Sequence, residues 1–100
     1  MRMTLLTKKI RRRLPPLGAT DAQGLDALAQ VKFFYPDFSW TWYGVEFDGN
    51  NLFWGLVYGF EKELGTFSLS ELQENRGKLG MPIERDRFFK PVPLKTLLND

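Results

Sequence analysis

The densest pattern in the chain lies between Ser39 and Glu61, SWTWYGVEFDGNNLFWGLVYGFE. Two alternating runs flank Asp48-Gly49-Asn50-Asn51, and that arrangement predicts a β-hairpin. With a two-residue loop at Gly49-Asn50, Asp48 faces Asn51, Phe47 faces Leu52, Val45 faces Trp54, Gly44 faces Gly55 and Trp42 faces Val57. Side chains alternate across a strand, so this register sorts the hairpin into two faces. One carries Thr41, Tyr43, Val45 and Phe47 with Leu52, Trp54, Leu56, Tyr58 and Phe60, and reads as core. The other carries Trp40, Trp42, Gly44 and Glu46 with Phe53, Gly55, Val57, Gly59 and Glu61. Glycine within a strand marks close approach by something else. That second face admits either a tightly packed helix or a ligand or partner groove floored by Gly44, Gly55 and Gly59.

The periodicity changes on both sides of the hairpin. Leu6, Ile10 and Leu14 fall at i, i+4 and i+8, which predicts a short helix over 7–14 with Thr7 as its N-cap and Pro15-Pro16 as its end. Leu17 to Gln30 is small and polar and reads as a loop with a helical turn at Leu25 to Leu28. Val31 to Tyr35 is a strand closed by Pro36-Asp37, and Gly65 to Ser68 is a short fourth strand. Ser68 followed by Glu71 matches a capping box, with Leu69 and Leu72 as the apolar anchors of a middle helix. Gly77 and Gly80 break the chain. Arg87 to Lys90 reads as a last extended segment, and Leu94 to Leu98 as a C-terminal helical turn. Short connections between strands require an antiparallel meander. The expected fold is α+β: one domain over 1–100, with a four- to five-stranded antiparallel meander sheet and short N-terminal, middle and C-terminal helices.

Composition narrows the chemistry more than the fold. The chain of 100 residues has no cysteine and no histidine. Disulfide staples, Ser-His-Asp and Cys-His nucleophile systems and ordinary Cys/His zinc sites are therefore excluded. An enzyme built on this chain would work with carboxylates, lysine, tyrosine or a hard metal ion. No apolar run is long enough to span a bilayer. The basic N-terminus has no apolar stretch behind it and does not read as a secretion signal. The expected compartment is the cytoplasm, and no cofactor is expected.

The net charge of +2 is small, but it is polarised. Lys8, Lys9, Arg11, Arg12 and Arg13 form one cluster, suited to phosphate backbone or an acidic partner surface, or simply a solvated helix face. Single-stranded nucleic acid would need exposed aromatics beside it, and Trp40, Trp42 and Phe53 are the candidates. Glu46 and Glu61 share the second hairpin face, and Glu63, Glu84 and Asp86 are candidates to join them from neighbouring segments. Their spacing matches no calcium loop, and solvation or pairing to Arg85 and Arg87 is the simpler use. In Glu84-Arg85-Asp86-Arg87 the signs alternate, which suits cross-strand ion pairs.

Seven segments carry a family resemblance: Leu5-Leu6-Thr7-Lys8, Leu14-Pro15-Pro16-Leu17, Val31-Lys32-Phe33-Phe34, Trp40-Thr41-Trp42-Tyr43, Phe53-Trp54-Gly55-Leu56-Val57, Glu63-Leu64-Gly65-Thr66-Phe67-Ser68-Leu69 and Ile83-Glu84-Arg85-Asp86. Across nearly its whole length the chain resembles a family of small bacterial proteins described only as a domain of unknown function, often encoded on plasmids and integrative elements. Thr66 stands where the family pattern has an aromatic. The resemblance implies no catalytic residues. It implies an accessory role, such as DNA maintenance or interference with a host defence complex. The expected function is a non-enzymatic binding or regulatory module, monomeric or homodimeric, with a protein partner engaged at Trp40, Trp42, Gly44, Phe53 and Gly55. The alternatives are nucleic-acid binding through Lys8, Lys9, Arg11, Arg12 and Arg13, and a carboxylate metal-dependent enzyme.

Overall fold

A computed structural model describes residues 4–99. In chain order the elements are α1 (Lys8–Arg13), a 3-10 turn (Asp21–Asp26), β1 (Leu28–Ala29), β2 (Val31–Phe34), β3 (Thr41–Phe47), β4 (Leu52–Tyr58), β5 (Lys62–Ser68), α2 (Leu69–Glu74), β6 (Glu84–Arg85), β7 (Val92–Pro93) and α3 (Leu94–Leu98). Five strands form one sheet in the order β5-β4-β3-β2-β6, antiparallel throughout, so the α+β meander is as expected. The caps read from the sequence are in place. Thr7 Oγ1 accepts the Ile10 N–H at 3.2 Å, and Ser68 Oγ accepts the Glu71 N–H at 3.1 Å. Three boundaries differ. β5 begins at Lys62 rather than Gly65, the helical turn before β1 lies at Asp21–Asp26, and the last strand of the sheet is Glu84–Arg85 rather than 87–90.

The hairpin turn is one residue longer than its sequence suggests. Asp48 donates its N–H to the Leu52 carbonyl at 2.9 Å, and Phe47 pairs with Phe53. One Asp48 carboxylate oxygen accepts the N–H groups of Asn50, Asn51 and Leu52 at 2.8, 2.8 and 3.0 Å. The Leu52 N–H, then those of Asn50 and Asn51, hold this carboxyl below its ordinary range. Gly49 adopts φ 88°, which a side chain would disfavour. Further down, Gly44↔Gly55, Tyr43↔Leu56 and Trp42↔Val57 pair as the alternation requires. The two registers are reconciled between Gly44 and Glu46, where a bulge at Val45 takes up the extra residue.

That bulge exchanges the faces near the turn. Phe47 now joins Trp42, Phe53, Val31, Phe33 and Phe67 in the larger core. Leu5, Leu6 and Leu14 from the N-terminal segment, Leu69 and Leu72 from α2, and Ile83 close over it. Ile10 packs against this core, so the Leu6-Ile10-Leu14 stripe lies on the sheet. The opposite face packs Val45 and Leu56 against Ala27, Ala29 and Leu94, with Tyr43, Trp54, Phe89, Leu97 and Leu98 around them. This second layer exists because β1 and β7 pair with each other, Leu28↔Pro93 and Ala29↔Val92, in a separate two-stranded ribbon.

The glycine-bearing face was expected to be the open one if the hairpin carried function; it is instead the larger core. A β-carbon on Gly44 would stand 2.9 Å from Val31 Cγ1 and 3.0 Å from Phe53 Cδ1. One on Gly55 would stand 1.9 Å from the Tyr43 carbonyl oxygen. These two glycines make room for core side chains and for the bulged neighbouring strand. The face is covered, as a packed helix would require, by Leu69 and Leu72 of α2 together with the N-terminal leucines.

Candidate functional site

Of the predicted binding residues, Gly44, Phe53 and Gly55 are buried, and Trp42 is only 7% exposed. Trp40 is different. It lies one residue before β3, at the end of the sheet opposite the Asp48 turn. The connection 35–40 between β2 and β3 and the connection 59–61 between β4 and β5 meet at this end, because Thr41 pairs with Tyr58. β2 ends at Phe34 and β3 begins at Thr41, so Phe38 and Trp40 fall in the connection, where the Trp40 carbonyl accepts the Tyr35 N–H at 3.4 Å. The result is an aromatic groove of about 340 Å³ lined by Tyr35, Phe38, Trp40, Trp42 and Phe60, with Glu71 and Asn75 of the α2 end at its lip.

The groove has a defined build. The Trp40 ring lies 5.4 Å from that of Phe60 at 83° and 6.1 Å from that of Trp42 at 42°. Tyr35 is edge-on to both Phe38 and Trp42, at 5.8 and 5.3 Å. Burial raises the Tyr35 phenol above its ordinary value, and the charge of Asp37 adds to the effect, so the hydroxyl stays neutral. Gly59 sets the position of Trp40: a β-carbon there would stand 2.7 Å from Trp40 Cη2. Gly59→Ala is therefore expected to lift the indole, shift its resonance and cost about 1–3 kcal/mol of stability, read by denaturation.

Both outer residues of the groove are exposed, Phe60 at 91% and Phe38 at 39%. The sequence pointed to Trp40 and Trp42 but not to Tyr35, Phe38, Phe60, Glu71 or Asn75. A signal was available. Tyr35, Phe38 and Trp40 are three aromatics within six residues around the Pro36-Asp37 break.

The basic cluster is on α1, and all five side chains are exposed. Arg11 is engaged, its guanidinium 5.2 Å from the Phe47 ring centroid and donating to the Gly49 carbonyl at 2.8 Å. Lys8, Lys9, Arg12 and Arg13 make no hydrogen bond or ion pair among the described residues. The contacts of Arg11 put this helix beside the Asp48 turn, whereas Trp40 lies at the other end of β3, seven residues or about 20 Å away. The Trp40 end of the sheet therefore does not flank the basic strip.

The carboxylates do not gather either. Glu46, expected on the same face as Glu61, pairs with Trp54 beyond the bulge and is 2% exposed. Its Oε1 accepts the Gly18 N–H at 2.9 Å, and its Oε2 accepts the Thr20 N–H at 2.8 Å and the Thr20 hydroxyl. Burial pushes the carboxyl up, but these three donors, the Thr20 hydroxyl foremost, outweigh it and leave the group below its ordinary value of 4.5. Glu46 thus fastens the 18–20 loop to β3. Among the described residues no three acidic side chains come together as metal donors. Of the acids and bases at 84–87, Asp86 pairs with Lys32 at 3.7 Å, and Arg85 donates to the carbonyls of Thr4 and Leu5. A larger cleft of about 1060 Å³ opens between Leu5, Leu6, Leu69 and Ile83. Arg11, Arg87 and Glu84 line it with both signs of charge, and Arg11 is already engaged by Phe47 and Gly49.

The family described as protein of unknown function (DUF2958) matches residues 5–98, nearly the whole chain. No curated protein and no solved structure matches it. Among the described residues no helix is long and apolar enough to cross a membrane.

Proposed function

The chain belongs to the DUF2958 family of proteins of unknown function, and we propose that it is a non-enzymatic binding module that docks a protein partner at the Trp40 end of its sheet. One observation carries this reading. A fold that covers both faces of its sheet leaves Phe60 91% exposed beside Trp40 and Phe38. Aromatic side chains are enriched at the centres of protein interfaces, and an open cluster of them marks an interaction site more often than chance. The engagement of Glu46 by three donors and the dispersal of the other carboxylates give no support to acid–base or metal chemistry. A finer form of the proposal, suggested by the resemblance to mobile-element proteins, is an accessory protein whose partner is a host defence complex.

The test is quantitative capture with tagged protein from its host. Wild-type bait should retain one protein, and Phe60→Ser should weaken that retention roughly 30-fold, as truncation of an aromatic anchor does. Replacing Lys8, Lys9, Arg12 and Arg13 with alanine should leave it unchanged. The opposite pattern would favour the second reading, nucleic-acid binding through α1, whose support is the four unengaged cations of that helix. Nucleic-acid binding of that kind would weaken steeply with salt.

A further inference from the structure

We infer that the aromatic groove takes the guanidinium of an arginine side chain carried by the protein partner, an inference that rests on the groove being the docking surface. The groove has room for one long side chain. Its volume, about 340 Å³, is at the small end of ligand pockets. Its ring pairs are tilted or edge-on, with interplanar angles of 42, 66, 72 and 83°. Phe60 is 91% exposed, so its ring is open to solvent, and an open π face attracts a cation.

Two further observations point to the sign of the ligand. First, the cluster already seats a cation of this chain, because Lys78 Nζ lies 5.3 Å from the Phe38 ring centroid. Second, the one charged side chain lining the groove is a carboxylate. Glu71 is exposed and makes no ion pair among the described residues. An apolar occupant would strip water from that carboxylate and return nothing for it.

The choice among cations follows from the shape. The groove is open to solvent, so its ligand is incompletely desolvated. A guanidinium is weakly hydrated, stacks flat on an indole and carries a fork of N–H donors. Glu71 can accept two of those donors, and charge-assisted pairs of this kind are the strong ones. An ammonium gives up more hydration to enter. A quaternary ammonium has no N–H to offer Glu71 or Asn75.

The probe is a blocked Gly-Arg-Gly peptide, titrated into the whole chain while the Trp40 indole and Phe60 ring signals are followed by NMR. Saturable shifts confined to the groove are expected. Citrulline or norleucine in place of arginine should weaken binding about tenfold, and lysine or trimethyl-lysine about threefold. Glu71→Gln should lower arginine affinity about fivefold and should not lower that of the norleucine peptide. If norleucine binds as well as arginine, or trimethyl-lysine binds better, the guanidinium assignment fails while the docking surface stands. If no peptide shifts these signals, both fail.

Discussion

Phe53→Ala is expected to remove about 3–5 kcal/mol of stability, the cost of truncating a fully buried aromatic. Phe53 is 0% exposed and meets three other rings. It stacks on Phe67 at 5.0 Å, lies 4.5 Å from Phe47 and sits edge-on to Phe33 at 5.6 Å. Its ring also occupies the space that Gly44 leaves open. A domain of this size is stable by only about 5–15 kcal/mol, so the variant should sit near the edge of folding. Denaturant midpoints of Phe53→Ala and Phe60→Ala make the comparison. The exposed Phe60 should cost within about 0.5 kcal/mol. Equal costs would mean that the glycine-bearing face is not the core.

Glu46→Gln is expected to cost about 2–3 kcal/mol near neutral pH, because an amide turns N–H donors toward backbone and hydroxyl donors that a carboxylate satisfied. The pH dependence fixes the assignment. The folded Glu46 carboxyl titrates below its ordinary value of 4.5. Its contribution is therefore complete above that pH and is lost as pH falls through the lower, folded value. The stability gap between wild type and Glu46→Gln should be constant above about pH 5 and close in more acid solution. Asp48 also titrates low and adds to the acid loss of the wild type, but it is common to both proteins and cancels in the difference. A gap that persists unchanged through acid would mean that the carboxylate charge is not what the Gly18 and Thr20 donors hold.

The sequence made the hairpin legible but not its sides. Alternation placed Trp42, Tyr43 and Gly44 opposite Val57, Leu56 and Gly55, where the structure has them. It failed beyond Gly44 because an added loop residue and a bulge compensate each other. Period-2 reading registers parity and not count. Both hairpin faces are rich in large apolar residues, so polarity alone could not say which was outward, and here both are covered. The cover on the Val45-Leu56 side comes from Ala27, Ala29 and Leu94, residues in or next to two-residue strands that are distant in sequence. Strands that short have no period to detect. The groove was half legible for a related reason. Trp40 and Trp42 lie on or beside a strand and were read, whereas Phe38 lies in a turn, and Phe60, which alternation assigned to the core face, falls beyond the end of β4 and is 91% exposed. Glu71 was read only as a capping residue, and its place at the groove lip depends on how α2 packs across the sheet.

The central claim is that the surface open to a partner is the end of the sheet and not its glycine-bearing face. A soluble paramagnetic probe tests it in one NMR measurement. The Phe60 ring should broaden first and the Trp40 indole next, while the Trp42 indole and the Phe53 ring stay sharp, in keeping with exposures of 91% at Phe60, 7% at Trp42 and 0% at Phe53. Broadening of Trp42 and Phe53 alongside Phe60 would contradict it and return the open surface to the face of Gly44 and Gly55.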